Sequence, residues 1–145
     1  MILISACLAG INCKYNGGNN EVELIRELYE QGKAVAVCPE VYGNLGIPRI
    51  PCEKRGDRVY NTRGEDKTGN YVKGALKALE ICRQNGCRLA VLKAKSPSCG
   101  VNGIYDGTFT HTLIEDDGIF AKMLKDEGVV CLRETDDLKE IEGYL

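Results

Sequence analysis

Apolar residues along this chain fall into two rhythms. Four short stretches, Ile2 to Ala6, Ala34 to Val37, Arg88 to Leu92 and Val129 to Leu132, are runs rather than alternations. Such runs mark strands buried on both faces. Between them the spacing turns helical. Leu24, Ile25 and Leu28 follow Asn20, a capping residue with Glu23 three positions on, and Gly32 closes the segment. Val72, Ala75, Leu76, Leu79 and Cys82 share one face of a helix begun at Asp66 or Thr68. Ile119, Phe120, Met123 and Leu124 line another, opened at Asp117 and ended before Gly128. Thr135 caps a last short helix with Leu138, Ile141 and Leu145 as its apolar side. Strands alternating with helices predict an α/β fold: a three-layer, Rossmann-like or flavodoxin-like domain with a mainly parallel sheet and right-handed crossovers. One domain over residues 1–145 is expected. The pattern does not give the strand order.

Residues 39 to 67 break the rhythm. They hold Pro39, Pro48 and Pro51, leaving only Pro97 elsewhere. They read as a long loop with a short hairpin near Arg58 to Asn61, and a loop this long inside a compact domain usually has a job.

Composition narrows the function. The charged fraction is 28% and the net charge −2, ordinary for a soluble protein and unlike a general nucleic-acid or membrane binder. The opening MILISACLAG is too short for a membrane span and lacks the basic lead and cleavage site of a signal peptide. The expected compartment is the cytoplasm. There, eight cysteines point to metal binding or reactive thiols rather than to disulfides.

Topology groups those cysteines. In open α/β sheets, ligands bind beyond the carboxyl ends of the strands. Cys7 and Cys13 follow the first strand, Cys38 the second and Cys99 the third. Segments far apart in sequence thus converge on one sheet edge. Thiolates are the usual ligands of iron–sulfur clusters and also take zinc or copper. Three ligands would leave one iron open as a Lewis acid. Cys38 and Cys99 are the stronger candidates, because each adjoins Pro, Gly or Ser punctuation rather than lying in an apolar run. For Cys7 and Cys13 the ligand and core readings are closer to even, and one ligand from the two is enough. Cys82, Cys87 and Cys131 read as core residues, and Cys52 is undecided. Glu40, two residues past Cys38, is placed to move a proton. Ser96 and Ser98 flank Pro97 and suit either turn chemistry or hydrogen bonding at the site. Lys93 and Lys95 are candidates for countering negative charge. His111, the one histidine, is placed by no pattern. A thiol or persulfide carrier and a structural zinc module remain as alternatives to a cluster enzyme.

Five stretches together carry a resemblance. SACLAGINCKYNG at 5–17, CPEVYGNLGIPR at 38–49, GEDKTGNYVKGA at 64–75, LKAKSPSCG at 92–100 and IYDGTF at 104–109 resemble the thiouracil desulfidase family. The match runs in order from Ser5 to about Leu132; GNLGIPR departs from the family's more usual GGLPTPR-like form. The resemblance implies an oxygen-sensitive 4Fe-4S cluster on three cysteines. Cys38 and Cys99 match ligands and Cys7 the third, with Cys13 a rival. Glu40 matches the acid of CPE and Ser96 the first serine of SPSCG, both acting at the substrate. The implied reaction is a non-redox desulfuration of a thiolated pyrimidine. The thiocarbonyl sulfur meets the open iron, Glu40 helps activate water, and sulfide leaves. Some relatives act on thiolated RNA; the mild negative charge favours a small substrate here.

Overall fold

A computed structural model describes residues 1–145. The four expected strands form one parallel sheet: β1 (Ile2–Ser5), β2 (Ala34–Val37), β5 (Leu89–Leu92) and β8 (Val130–Arg133), in the order β2-β1-β5-β8. The chain steps outward from β1 to β2, then crosses back to β5 on the other side of β1. This is the flavodoxin-like order, and its switch point lies between β1 and β5. Successive side chains of the central strands enter opposite cores. Ile2, Ile4, Leu89 and Val91 face α1 (Glu23–Glu30) and a C-terminal 3-10 turn (Lys139–Tyr144). Leu3, Ala90 and Leu92 face α3 (Thr68–Gln84) and α4 (Ile119–Asp126). Both sheet faces are therefore covered, which explains the unbroken apolar runs. No helix is long and apolar enough to cross a membrane.

The differences from expectation have physical causes. The first strand ends at Ser5, and Ala6–Ala9 turn into a 3-10 helix closed by Gly10. Asn20 does not cap α1; Val22 takes the N-cap position. Leu24 is 46% exposed and Leu76 55%. On α3 the buried stripe is Tyr71, Ala75, Ala78, Leu79 and Cys82 instead. A stripe rich in alanine and glycine is what close approach to a neighbouring backbone requires. Leu145 is also exposed, and the final segment is a 3-10 turn rather than an α-helix begun at Thr135. Gly118, not Asp117, is the N-cap of α4. The Asp117 carboxylate instead receives Asn102 N and the Lys125 ammonium.

The long loop is more structured than its prolines suggest. It opens with a short helix, α2 (Pro39–Tyr42), with Pro39 at the first helical position, where its missing N–H costs nothing. It continues into a hairpin of β3 (Cys52–Arg55) and β4 (Arg58–Asn61). A second small hairpin, β6 (Ile104–Tyr105) and β7 (Leu113–Ile114), was not foreseen. Its strands are two residues long and carry no readable alternation.

Two glycines seat the loops that matter. A Cβ on Gly74 of α3 would lie 1.7 Å from Pro39 O, so only glycine lets α2 rest on α3 backbone to backbone. A Cβ on Gly118 would lie 2.4 Å from Ser98 O. There the first amides of α4 satisfy the turn after β5: Ile119 N donates to Pro97 O, and Phe120 N and Ala121 N donate to Ser98 O. Helix-end donors and turn acceptors thus satisfy one another.

Candidate active site

Beyond the carboxyl ends of β1, β2 and β5 the loops enclose a cavity of about 660 Å³. Cys7, Cys13, Cys38 and Cys99 all line it, as the topology predicts. Cys52, undecided from sequence, is a fifth thiol on its wall. Cys7 sits in the 3-10 turn after β1, Cys38 is the N-cap of α2, and Cys99 lies in the turn held by α4. Cys82, Cys87 and Cys131 are elsewhere, packed in or against the core on the α3 side.

The thiols differ in electrostatics. Burial pushes Cys7 and Cys99 up, with weaker opposing hydrogen bonds from Asn20 and Ser5. A hydrogen bond from Cys13 brings Cys38 down to about 7, against its burial. The same contact raises Cys13. The Cys38 Sγ also lies 3.9 Å from Cys13 O. Of the four thiols at the strand ends, Cys38 is the one shifted toward the thiolate.

Glu40 is held as a directed acceptor. Its Oε1 accepts from Tyr71 Oη at 2.9 Å and Arg49 Nε at 3.1 Å. Arg49 is almost buried and spends its other donors on Cys13 O at 2.9 Å and Gly46 O at 3.0 Å. One guanidinium therefore ties the Glu40 carboxylate to the loop carrying Cys13. Oε2 accepts a long hydrogen bond from Ser96 Oγ at 3.5 Å. Ser96 Oγ already accepts from Ser98 N at 3.1 Å and Cys99 N at 3.0 Å. With both lone pairs taken by amides, its hydroxyl proton is left to point at Oε2. The turn that seats Cys99 thus also aims Ser96.

Not every candidate joins the site in this way. Ser98 is fully buried and does not line the cavity; its Oγ has no hydrogen-bond partner. Lys93 reaches the wall but is paired with Glu134 at 3.0 Å. Lys95 reaches it with no ion pair, from a left-handed backbone at φ 71°. His111 does line the cavity, edge-on to Tyr105, although no sequence pattern put it there. Sequence reasoning also passed over Arg49, Tyr71 and Glu53. Arg49 and Tyr71 do lie inside the resembling stretches 38–49 and 64–75, and that was the available signal.

The donor set is soft: all eight cysteines are free, and the cavity floor offers thiols from three strand ends. No three His, Cys, Asp or Glu side chains gather closely enough to chelate a single metal ion. Thiols spread over separate loops suit a polynuclear cluster, in which each thiolate meets its own iron.

The family model for 2-thiouracil desulfurase matches residues 2–136. The chain belongs to that family. A solved family structure, the [4Fe-4S]-dependent thiouracil desulfidase TudS, superposes with a TM-score of 0.89 at 34% identity, over 99% of this chain and 93% of that one. The uncharacterized protein YbbK of Bacillus subtilis (strain 168) is 38% identical over 146 residues, covering 94% of this chain and 97% of its own. The resemblance read from five short stretches therefore extends over almost the whole chain.

Proposed function

We propose that this member of the 2-thiouracil desulfurase family is a [4Fe-4S]-dependent desulfidase acting on a thiolated pyrimidine such as thiouracil. Water replaces the thiocarbonyl sulfur, giving the oxygenated pyrimidine and hydrogen sulfide with no net redox change. The observation that carries this reading is the meeting of Cys7, Cys38 and Cys99 with the doubly held Glu40 on one cavity. Family membership and the likeness to TudS support it.

Cys7, Cys38 and Cys99 would hold the cluster, with Cys13 the rival to Cys7. Bound there through three thiolates, the cluster supplies one iron with an open position, a Lewis acid for the thiocarbonyl sulfur. The chain's own groups do the rest. Tyr71 and Arg49 occupy Oε1 of Glu40, so Oε2 takes the proton from the attacking water. The Ser96 hydroxyl, its acceptor capacity used by two amides, donates to Oε2 and holds that oxygen in place for the water. The cavity volume and the net charge of −2 favour a small ligand over RNA. A persulfide carrier is not favoured: it would leave the aimed pair Glu40 and Ser96 without work.

Anaerobic reconstitution with iron and sulfide tests the reading. About four irons per chain are expected, followed by loss of the thiouracil absorbance and release of one sulfide per uracil formed. A protein that takes up no iron, and instead binds zinc or is trapped by thiol reagents, would return the function to a carrier or a structural module.

A further inference from the structure

One carboxylate on the cavity wall is used by only half. Glu53 of β3 is 8% exposed, and its Oε1 accepts from Gly107 N at 3.1 Å and Phe109 N at 3.0 Å. It forms no ion pair: the neighbouring Lys54 is committed to Asp116, and Arg55 lies over the Tyr60 ring. Its Oε2 receives no hydrogen bond, yet it is not sealed in; Ser98 Oγ is the one fully enclosed side-chain atom without a partner. Glu53 is itself one of the residues that line the cavity. A carboxylate this buried normally has its acceptor sites filled.

The residues that Glu53 organises face the same space. The bonds to Gly107 and Phe109 pin the turn between β6 and β7. There Phe109 and His111 both adopt left-handed backbones, at φ 59° and 58°. Such a conformation in two bulky residues is unfavourable and persists only where the surroundings impose it. Gly107, pressed by Arg55 and at φ 92°, admits no side chain. The result is a wall on which Phe109 and His111 both line the cavity beside an unfilled anionic acceptor.

We propose that Glu53 orients the substrate: its free Oε2 accepts a ring N–H of the thiolated pyrimidine, while Phe109 and His111 bound the ring. The assignment rests on the desulfidase reading above and adds the group that reads the heterocycle. Pyrimidine-2-thiones and pyrimidine-4-thiones carry a ring N–H beside the thiocarbonyl carbon. An acceptor at that position selects that form and turns the thiocarbonyl toward the thiols. Ligands that cannot donate at that position leave the carboxylate unmatched and are rejected.

The test compares 2-thiouracil with its 1-methyl and 3-methyl derivatives on the reconstituted enzyme, wild type and Glu53→Gln. The glutamine side chain can still offer its oxygen to Gly107 and Phe109, while its NH₂ replaces the acceptor on the cavity side. Wild type is expected to discriminate against one of the two methylated compounds. Glu53→Gln should lose roughly 10- to 100-fold in kcat/KM for thiouracil, mostly through KM, and lose that discrimination. Calorimetric binding of uracil, which carries the N–H groups but cannot react, should weaken in parallel, with iron content unchanged. If wild type converts all three compounds equally, or the variant keeps the wild-type profile, Glu53 is not the reader, and the desulfidase reading stands. The wild-type comparison needs no variant to fold. A reconstituted wild type that converts no thiouracil overturns the function and this assignment together.

Discussion

The protein holds two pairs of neighbouring thiols, one at each edge of the sheet. Cys13 and Cys38 lie beyond the carboxyl ends of β1 and β2; Cys82 and Cys87 lie where α3 turns into the amino end of β5. Local chemistry barely separates them. In each pair one thiol is lowered by a hydrogen bond from the other, whose own value rises. Burial barely separates them: Cys13 is 5% exposed and Cys87 6%, and only Cys38 is partly exposed. The difference is in what faces the sulfur. The Cys13–Cys38 pair opens on a cavity that also presents Glu40, Arg49 and Ser96. The Cys82–Cys87 pair faces Leu79, Phe120 and the rest of an apolar cluster. A cysteine becomes a ligand by having company and space, and neither burial nor a perturbed proton affinity is sufficient.

The largest effect that can break this comparison is removal of one thiol at each edge. Cys38→Ser and Cys99→Ser should lose the cluster, with turnover falling by more than roughly 100-fold, since even the partners of metal ligands cost about 10- to 100-fold. Cys82→Ser and Cys131→Ser should keep the full iron and sulfide count. Setting Cys7→Ser beside Cys13→Ser then sharpens the ligand assignment: loss of iron is expected in the first and retention in the second. Iron retained by Cys99→Ser, or lost on Cys131→Ser, would undo the division between the two edges.

A smaller effect comes from the seat of α2. Gly74→Ala places a methyl against the Pro39 carbonyl and must push α2 off α3. The expected cost is roughly 1–3 kcal/mol in urea unfolding, with cluster occupancy and turnover falling together because Cys38 and Glu40 ride on the same short helix. Stability lost with the site intact would show that α2 can move without carrying its residues.

The smallest effect is expected in the core. Cys82→Ala removes one buried sulfur and its bond to Cys87, and should cost about 1 kcal/mol. Turnover per bound cluster should match wild type. Altered turnover would mean that the amino-end thiols communicate with the site after all.

Helix α3 and the two loop hairpins show where sequence reading stops. The spacing of Ala75, Leu79 and Cys82 revealed the helix, because burial against a sheet requires that period. It included Leu76 and missed Tyr71, because only the approach of α2 through Gly74 determines which flank is covered. Tyr71 thereby became a partner of Glu40 rather than a surface aromatic. His111 and Glu53 were invisible for a related reason. The hairpin of β6 and β7 is too short to show alternation, and the Glu53 carboxylate meets it across 54 and 56 residues of chain.

By itself the sequence determined the α/β class, the buried parallel strands and the convergence of Cys7, Cys13, Cys38 and Cys99 on one edge. Those features follow from local periodicity and from the rule that parallel strands share a direction. Only the tertiary structure decided the strand order β2-β1-β5-β8, the clamp of Tyr71 and Arg49 on one oxygen of Glu40, and the open oxygen of Glu53. These depend on which segments meet after folding, and hydrogen bonds between distant loops leave no period in the chain that makes them.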